Sequence, residues 1–320
     1  MASTNTTQIC KARQAKVKAA LAVIEPKQKN EVRYELQTAL APLFQPVNDV
    51  GPGERPKRTV RRELKNGWIE YSCFEELSIF DESVALAILK ISSERIGYLT
   101  DAPETELGKV MRKLIDPKDN IKGKVAGMIG EMSLYEIAQN IGFKRPSQQN
   151  YICIRASLSR LAKVFVSRRS HLDGVETHGE IGFIQHKILD NGRLTVVITP
   201  RLAMASFGVD GWKYALLNLD ERNALRGDIA KSAHKFLVSW LWRDGSRPIK
   251  LDTLAGHIWW QWDSYSTSGK ATFRERLKAA LAQLSALPSW KITISGQGSK
   301  ALVYVTRGEG KSREAEGEQF

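Results

Sequence analysis

The sequence predicts an α+β protein built from two tandem winged-helix domains, each a helix-turn-helix followed by a β-hairpin. A short helix, a tight turn and a longer amphipathic helix occur near residues 133–166 and again near residues 251–287. Each pair precedes two alternating apolar segments around a glycine-containing turn. The chain of 320 residues also carries 48 lysines and arginines against 35 acidic residues, a formal charge of +13. Such an imbalance favours a polyanionic partner, and nucleic acid in particular.

The first helix-turn-helix is predicted from Met132 to Val166. Ser133 and Glu136 have the spacing of a capping box, and Gly142 is a natural helix end. The apolar stripe of the second helix is predicted to be Tyr151, Ile154, Leu158, Leu161 and Phe165. The opposite face is predicted to hold Gln149, Cys153, Ala156, Arg160 and Lys163. Such a helix fits the DNA major groove, where glutamine suits adenine and arginine suits guanine. Any helical hairpin buries one face, so a purely structural role is the alternative.

A β-hairpin is predicted directly after this unit. Segments 183–189 and 194–198 alternate around Asp190-Asn191-Gly192, and Asn-Gly is the strongest short hairpin turn. A hairpin that follows a helix-turn-helix is the wing of a winged helix. Lys187 and Arg193 would then flank the DNA backbone.

The second half repeats this order after a boundary near residues 208–211. Asp220 is predicted to cap one long helix that continues to Leu241. A short helix over 251–258, a polar-aromatic turn over 259–269 and a second helix over 273–287 follow, and Pro288 ends that helix. The last hairpin joins 290–294 to 301–305 through a flexible tip that carries Lys300. The turn's Trp259, Trp260, Trp262 and Tyr265 are either a partner-binding hot spot or core residues.

The remaining segments set the predicted boundaries. Residues 1–58 are expected to be a flexible basic arm, 59–207 and 208–307 the two domains, and 308–320 a disordered tail. A basic helix is possible over 11–24.

The basic run Lys57, Arg58, Arg61 and Arg62 is either a solvated linker or an arm that touches phosphates. A strand is expected over 68–74, a helix capped by Asp81 next, and either a strand or a helix over 107–115.

Several functional classes lack their sequence signals. The three cysteines lie far apart, and the five histidines never have the spacing of a metal pair. Neither a phosphate-binding Gly-x-x-x-x-Gly-Lys-Ser/Thr loop nor a Gly-x-Ser-x-Gly elbow occurs. The sequence has no membrane span and no signal-peptide core. We therefore expect no catalytic residues, no metal, no cofactor and no membrane partner, and we expect the chain to be cytoplasmic.

Three stretches of the chain resemble the iteron-binding plasmid replication initiators, most closely the replication protein C branch of IncQ-type plasmids. They are residues 67–90, residues 133–142 with 160–166 and the hairpin behind them, and residues 217–241 with 249–259 and the closing helix and hairpin. The resemblance is collinear over about residues 59–306 and depends on spaced apolar and small residues.

The resemblance implies a protein that binds direct repeats at a plasmid origin, promotes opening of an adjacent AT-rich segment and permits loading of the replicative helicase. A homodimer formed through the first domain is also implied. The residues assigned to DNA contacts are Gln148, Gln149, Cys153, Ala156, Arg160, Lys163, Lys187, Arg193, Lys270, Ala271, Arg274, Glu275, Lys278 and Lys300. A winged-helix transcriptional repressor and an origin-nicking endonuclease are the competing hypotheses.

Overall fold

The computed structural model describes residues 30–47, 55–64, 67–95, 98–99, 106–115, 127–172, 175–188, 193–208 and 213–308. These residues form helices and sheets that are antiparallel except for the parallel pair of Phe44–Gln45 and Leu77–Ser78, so the predicted α+β class is confirmed. The helices are α1 (Leu36–Leu40), α2 (Ile79–Glu94), α3 (Glu106–Ile115), α4 (Leu134–Asn140), α5 (Gln148–Ala162), α6 (Pro200–Phe207), α7 (Leu219–Ala224), α8 (Asp228–Trp240), α9 (Leu251–Ile258) and α10 (Thr267–Ser285). The strands are β1 (Glu31–Glu35), β2 (Phe44–Gln45), β3 (Arg58–Leu64), β4 (Gly67–Cys73), β5 (Leu77–Ser78), β6 (Tyr98–Leu99), β7 (Gly127–Met132), β8 (Val164–Leu172), β9 (Val175–Gly182), β10 (Ile184–Ile188), β11 (Leu194–Ile198), β12 (Tyr214–Asn218), β13 (Ser246–Lys250), β14 (Trp290–Ser295) and β15 (Leu302–Arg307).

The two halves of the chain share one arrangement of helices and strands. In the first half, α2, β7, α4 and α5 precede the hairpin of β10 and β11; in the second, α8, β13, α9 and α10 precede the hairpin of β14 and β15. The sheet orders are β10-β11-β7, extended by β6, and β14-β15-β13. In the first half β7, which precedes α4, pairs antiparallel with β11. In the second half β13, which precedes α9, pairs antiparallel with β15. The predicted order of helix, turn, helix and hairpin is therefore present in the second half, whereas in the first half β8 and β9 lie between the helix α5 and the hairpin.

The first half contains a hairpin that the sequence analysis missed. The predicted hairpin forms, with Ile184 opposite Ile198, although its turn lies outside the described residues. Between α5 and β10, however, β8 and β9 form a further antiparallel pair and join β3 and β4 in a four-stranded sheet. Phe165, which the helical pattern assigned to the second helix, lies in β8. The β-branched neighbours Val164 and Val166 favour this strand.

The structure decides one open alternative and changes two predictions about helices. Segment 107–115, for which a strand and a helix were both left open, is a helix. The N-cap of α2 is Ser78, and Asp81, the third residue of the helix, completes the capping box with it. The long helix expected to start at Asp220 is broken: Asn218 caps α7, and α8 begins after Gly227, whose φ is +85°. A backbone conformation of this kind is open to glycine and costly for other residues, so it interrupts the helical pattern.

Part of the segment predicted as a flexible arm belongs to the core. Strand β1 pairs with β12, with Glu31 opposite Asn218, and Tyr34 is fully buried. The basic run is not a solvated linker, because it enters strand β3. Arg58 donates to the carbonyl of Pro42 at 2.7 Å, and Arg62 donates to that of Leu40 at 2.9 Å. The predicted helix over 11–24 and the tail from 309 onwards lie outside the described residues.

Candidate nucleic-acid interface

Helix α5 presents a continuous solvent-facing stripe. A capping box of Ser147 and Asn150 fixes its start, and Ile154, Leu158 and Leu161 bury its opposite side. The exposed residues recur every three to four positions, so they lie on one side of the helix. We call them the α5 outer stripe: Gln148, Gln149, Ile152, Arg155, Ala156 and Ser159. The stripe combines amide, guanidinium and methyl groups, which are the groups that contact base edges in the major groove.

The structure places the predicted residues of this helix in two groups. Gln148, Gln149 and Ala156 lie on the outer stripe, whereas Cys153 is half-buried, 3.7 Å from the amide nitrogen of Gln149. The side chain of Arg160 is only 14% exposed and holds the fully buried Asp81, with Nη2–Oδ1 at 2.7 Å and Nε–Oδ1 at 3.1 Å. Lys163 follows the helix and pairs with Glu75 at 2.7 Å. The guanidinium of Arg160 is thus engaged in the protein interior.

Sequence reasoning missed Arg155 because the predicted outer face is rotated by about one residue. The predicted apolar stripe included Phe165, which lies in a strand, and left out Ser157, which is fully buried. With Ser157 on the inner side, the centre of the buried face shifts and the opposite side passes through Ile152, Arg155 and Ser159. No apolar pattern identifies a buried serine, so the sequence carries no clear signal for this shift.

The turn between α4 and α5 is fixed by hydrogen bonds from a side chain to the backbone. The side-chain amide of Gln139 donates to the carbonyls of Phe143 and Lys144 at 3.0 and 3.2 Å. Gly142 has a φ of +99°, a conformation suited to glycine at a helix end. The cationic residues of the turn, Lys144 and Arg145, are exposed.

Helix α10 is the corresponding helix of the second half. Leu277, Ala280, Leu281 and Leu284 bury its inner side. We call its exposed residues between Thr267 and Ala279 the α10 outer stripe: Thr267, Ser268, Ala271, Thr272, Glu275, Arg276 and Ala279. Ala271 and Glu275 were predicted for this surface, and Arg276 was missed.

Three predicted cations of α10 flank the α10 outer stripe and are half-buried. Arg274 forms a two-point ion pair with Asp252 of α9, both distances being 2.7 Å. The hydrogen bonds that Arg274 donates to this carboxylate raise the pKa of the guanidinium. Lys270 donates to the carbonyl of Asp263 at 3.2 Å, and the ammonium of Lys278 lies 2.8 Å from Glu275. Arg274 therefore fixes α10 against α9, just as Arg160 fixes α5 against α2.

The cations predicted for the two hairpins are at the surface. Lys187 is exposed in β10 and Arg193 is exposed just before β11. Lys300 is exposed in the short helical turn between β14 and β15. The structure thus places the predicted cations on both hairpins. The second hairpin directly follows α10, whereas β8 and β9 separate the first hairpin from α5.

The aromatic turn after α9 belongs mainly to the core. Trp259 and Trp262 are almost completely buried and stack with centroids 6.3 Å apart, and Tyr265 stacks on Phe273 at 4.7 Å. Trp260 is half-exposed, and the guanidinium of Arg58 lies 4.8 Å from its ring centroid. Packing rather than a separate partner site accounts for most of this cluster.

Two histidines of the second half are structural. His234 is buried, and its Nε2 lies 3.0 Å from Glu221, which also accepts from Ser289 and Trp290. Burial alone would raise the pKa of Glu221, but these hydrogen bonds lower it to about 2. His257 stacks on Phe236 at 4.1 Å, and burial with nearby cations lowers its pKa to about 4. Within the described ranges, no three potential metal ligands converge, and no helix has the length and apolar character to span a bilayer.

One protein-family model and two solved structures resemble this chain. The family model for replication protein C (RepC) matches residues 27–302. A crystal structure of selenomethionine derivatives of RctB domains 2 and 3 aligns with a TM-score of 0.52 at 11% identity, over 80% of this chain and 92% of that one. A second structure of RctB domains 2–3 has a TM-score of 0.49 at 10% identity, over 85% and 96% of the two chains. No significant match is found among the curated protein sequences.

Proposed function

Since the chain belongs to the replication protein C family, which implies DNA binding in the initiation of replication, we propose that it binds direct repeats in a plasmid origin through two winged helices. The observation that carries this proposal is the repetition of one surface. In each half, one helix (α5 or α10) exposes a polar stripe that contains an arginine, and a hairpin later in the same half exposes lysine or arginine. Two such units in one chain multiply weak contacts through effective concentration.

Helices α5 and α10 supply the base contacts in this proposal. On α5, Gln148, Gln149 and Arg155 would contact base edges, and the half-exposed Ile152 would contact the methyl group of thymine. On α10, Ser268, Ala271, Thr272 and Arg276 occupy the corresponding surface. Lys187, Arg193 and Lys300 would contact phosphates from the hairpins. Arg160 and Arg274 are assigned to the support of these helices, because each is paired with an aspartate.

In this proposal the chain does not act as an enzyme, because origin opening uses binding energy and no covalent step. Several protomers on phased repeats would bend or untwist the duplex, and this deformation costs least at flexible, AT-rich steps. The subsequent loading of a helicase and the formation of a homodimer through the first half rest on membership of the family. The stripes on α5 and α10 bear directly on duplex binding alone.

A footprint on fragments of the plasmid that carries this gene tests the proposal. We expect protected segments of the same orientation, spaced by a regular interval, in the presence of random competitor DNA. Protection of a single palindrome would identify a repressor instead. Incubation with supercoiled origin plasmid and Mg²⁺ should leave the plasmid intact, and a nicked or covalently linked product would identify an endonuclease.

A further inference from the structure

The sheet of β13, β14 and β15 has a solvent-facing side that the proposed duplex contacts leave unused. Its inner side is buried through residues such as Ile249, Val303 and Val305. Because side chains alternate along a strand, the intervening residues face the other way. We call this side the outer sheet face, and it consists of Ser246, Pro248, Lys250, Lys291, Thr293, Ser295, Leu302, Tyr304 and Thr306.

The centre of the outer sheet face is an aromatic ring with cations at opposite corners. Tyr304 is 45% exposed and lies between Pro248 on one side and Thr293 on the other. Lys250 is opposite Leu302 and Lys291 is opposite Thr306, so each lysine is a diagonal neighbour of Tyr304. Diagonal neighbours in a sheet are roughly 7–8 Å apart. The lysines are exposed, and the outer sheet face contains no acidic residue.

We propose that the outer sheet face binds an unpaired strand of nucleic acid, with a base stacked on Tyr304 and the flanking phosphates near Lys250 and Lys291. A ring that stands on a flat sheet can stack on a base only when that base is free of its duplex. Other proteins that bind single-stranded nucleic acid combine exposed aromatic rings, on which bases stack, with a cationic groove along the backbone. The lysine ammoniums form no ion pair among the described residues, so both are able to bind phosphate.

The composition of the outer sheet face favours a nucleic acid over a protein partner. Protein interfaces are centred on large, desolvated apolar residues and are depleted of lysine. Here one tyrosine is surrounded mostly by hydroxyl groups, proline and two lysines, and Ser246 and Thr306 are bonded to each other at 2.9 Å. This ligand is distinct from the duplex of the proposed function, and its binding does not require that function.

The test uses the full chain and fluorescent oligonucleotides in an anisotropy titration. The probes are oligo-deoxythymidine and oligo-uridine of about 12 nucleotides, within the site sizes of single-strand binding proteins, and the control probe is an origin duplex. The variants are Tyr304→Thr, which keeps a strand-forming residue, and Tyr304→Phe, which keeps the ring. Lys250→Gln with Lys291→Gln removes two charges, and Lys113→Gln with Lys213→Gln removes two exposed charges elsewhere as a matched control.

We expect Tyr304→Thr to weaken binding of oligo-deoxythymidine by fivefold or more and Tyr304→Phe to retain it. The Lys250/Lys291 variant should lower the salt dependence of this binding, and the Lys113/Lys213 variant should change it much less. An equal loss with oligo-uridine would assign the face to unpaired strands of either sugar, and a loss confined to deoxythymidine would assign it to DNA. Wild-type affinity of Tyr304→Thr, or equal effects of the two lysine variants, would overturn the proposal. Duplex binding is measured in the same series, so a failure here is distinguishable from a failure of the proposed function.

Discussion

At the scale of single residues, two arginines five positions apart on α5 have different environments. Arg155 is exposed on the α5 outer stripe, whereas Arg160 is paired with the buried Asp81. We expect Arg155→Ala to weaken specific duplex binding by about 1–3 kcal/mol, because one base contact is lost. Its free energy of unfolding should stay close to that of the wild type. A competition assay with specific and random DNA, and urea denaturation, measure the two quantities.

The matched variant Arg160→Ala should behave in the opposite way. Removing one partner of a buried ion pair costs about 3–5 kcal/mol, although Arg55 remains 3.1 Å from Asp81 and reduces that loss. We therefore expect Arg160→Ala to lower the midpoint of urea denaturation clearly, and to do so without relaxing base preference at a single position. If Arg160→Ala were as stable as the wild type and had relaxed specificity, the assignment of the two arginines would be reversed.

Ile152 offers a test of base contact that does not require the repeat sequence. It is 50% exposed in the middle of a polar stripe, where an aliphatic side chain suits the methyl group of thymine. We expect the wild type to bind an origin fragment less tightly when every thymine is replaced by uracil. In Ile152→Ala this difference should shrink. An unchanged thymine-to-uracil ratio in the variant would rule out the methyl contact.

The residue scale is also where sequence reasoning is weakest. Gln148, Gln149 and Ala156 were predicted for the exposed face of α5 and lie there. Arg160 and Arg274 were assigned to DNA, yet each sits on the flank of its helix and bonds to an aspartate distant in sequence. A helical pattern locates the exposed face of a helix to within about one residue. It does not reveal a partner 79 residues away, such as Asp81 for Arg160.

At the scale of elements, local signals predicted most helices and hairpins. The capping box of Ser133 and Glu136 forms, as do the hairpins of β10 with β11 and β14 with β15. The failures have non-local causes. Strand β8 continues directly from α5 and is stabilised by pairing with β4 and β9, and β1 forms by pairing with β12, more than 170 residues away. Sequence patterns carry little information about such partners.

The break between α7 and α8 gives a prediction at this scale. Gly227 has a φ of +85° and a ψ of 155°, and an added Cβ would meet no atom within 4 Å. Gly227→Ala should therefore be destabilising because of its backbone conformation and not because of a steric clash. We expect it to lower the free energy of unfolding by about 1–3 kcal/mol. Gly308→Ala is the matched control, because that glycine also has open space and no positive φ. Equal denaturation midpoints for the two variants would contradict this account of the break.

At the scale of the whole molecule, a buried ion cluster connects the two halves. Glu82 of α2 lies 2.8 Å from Arg222 of α7 and 3.2 Å from Lys235 of α8. All three side chains are almost completely buried. Arg222 also donates to the carbonyl of Lys231 at 3.0 Å. One carboxylate thus neutralises two cations of the other half and links α2 to α7 and α8.

We expect Glu82→Gln to lower the free energy of unfolding by about 3–5 kcal/mol, because it leaves two buried cations without a counter-charge. Glu94→Gln changes an exposed carboxylate of the same helix and should have little effect. Urea denaturation followed by tryptophan fluorescence compares the two variants. A wild-type midpoint for Glu82→Gln would show that the cluster does not stabilise the joined halves.

The central claim is that both halves contact the same repeat, the first through α5 and the second through α10. A footprint with one variant in each half tests this claim most directly. The account predicts that Arg155→Ala weakens protection in one part of every repeat and that Arg276→Ala weakens protection in the adjacent part, with all repeats in one orientation. Loss of the same base pairs in both variants, or a footprint that neither variant changes, would contradict it.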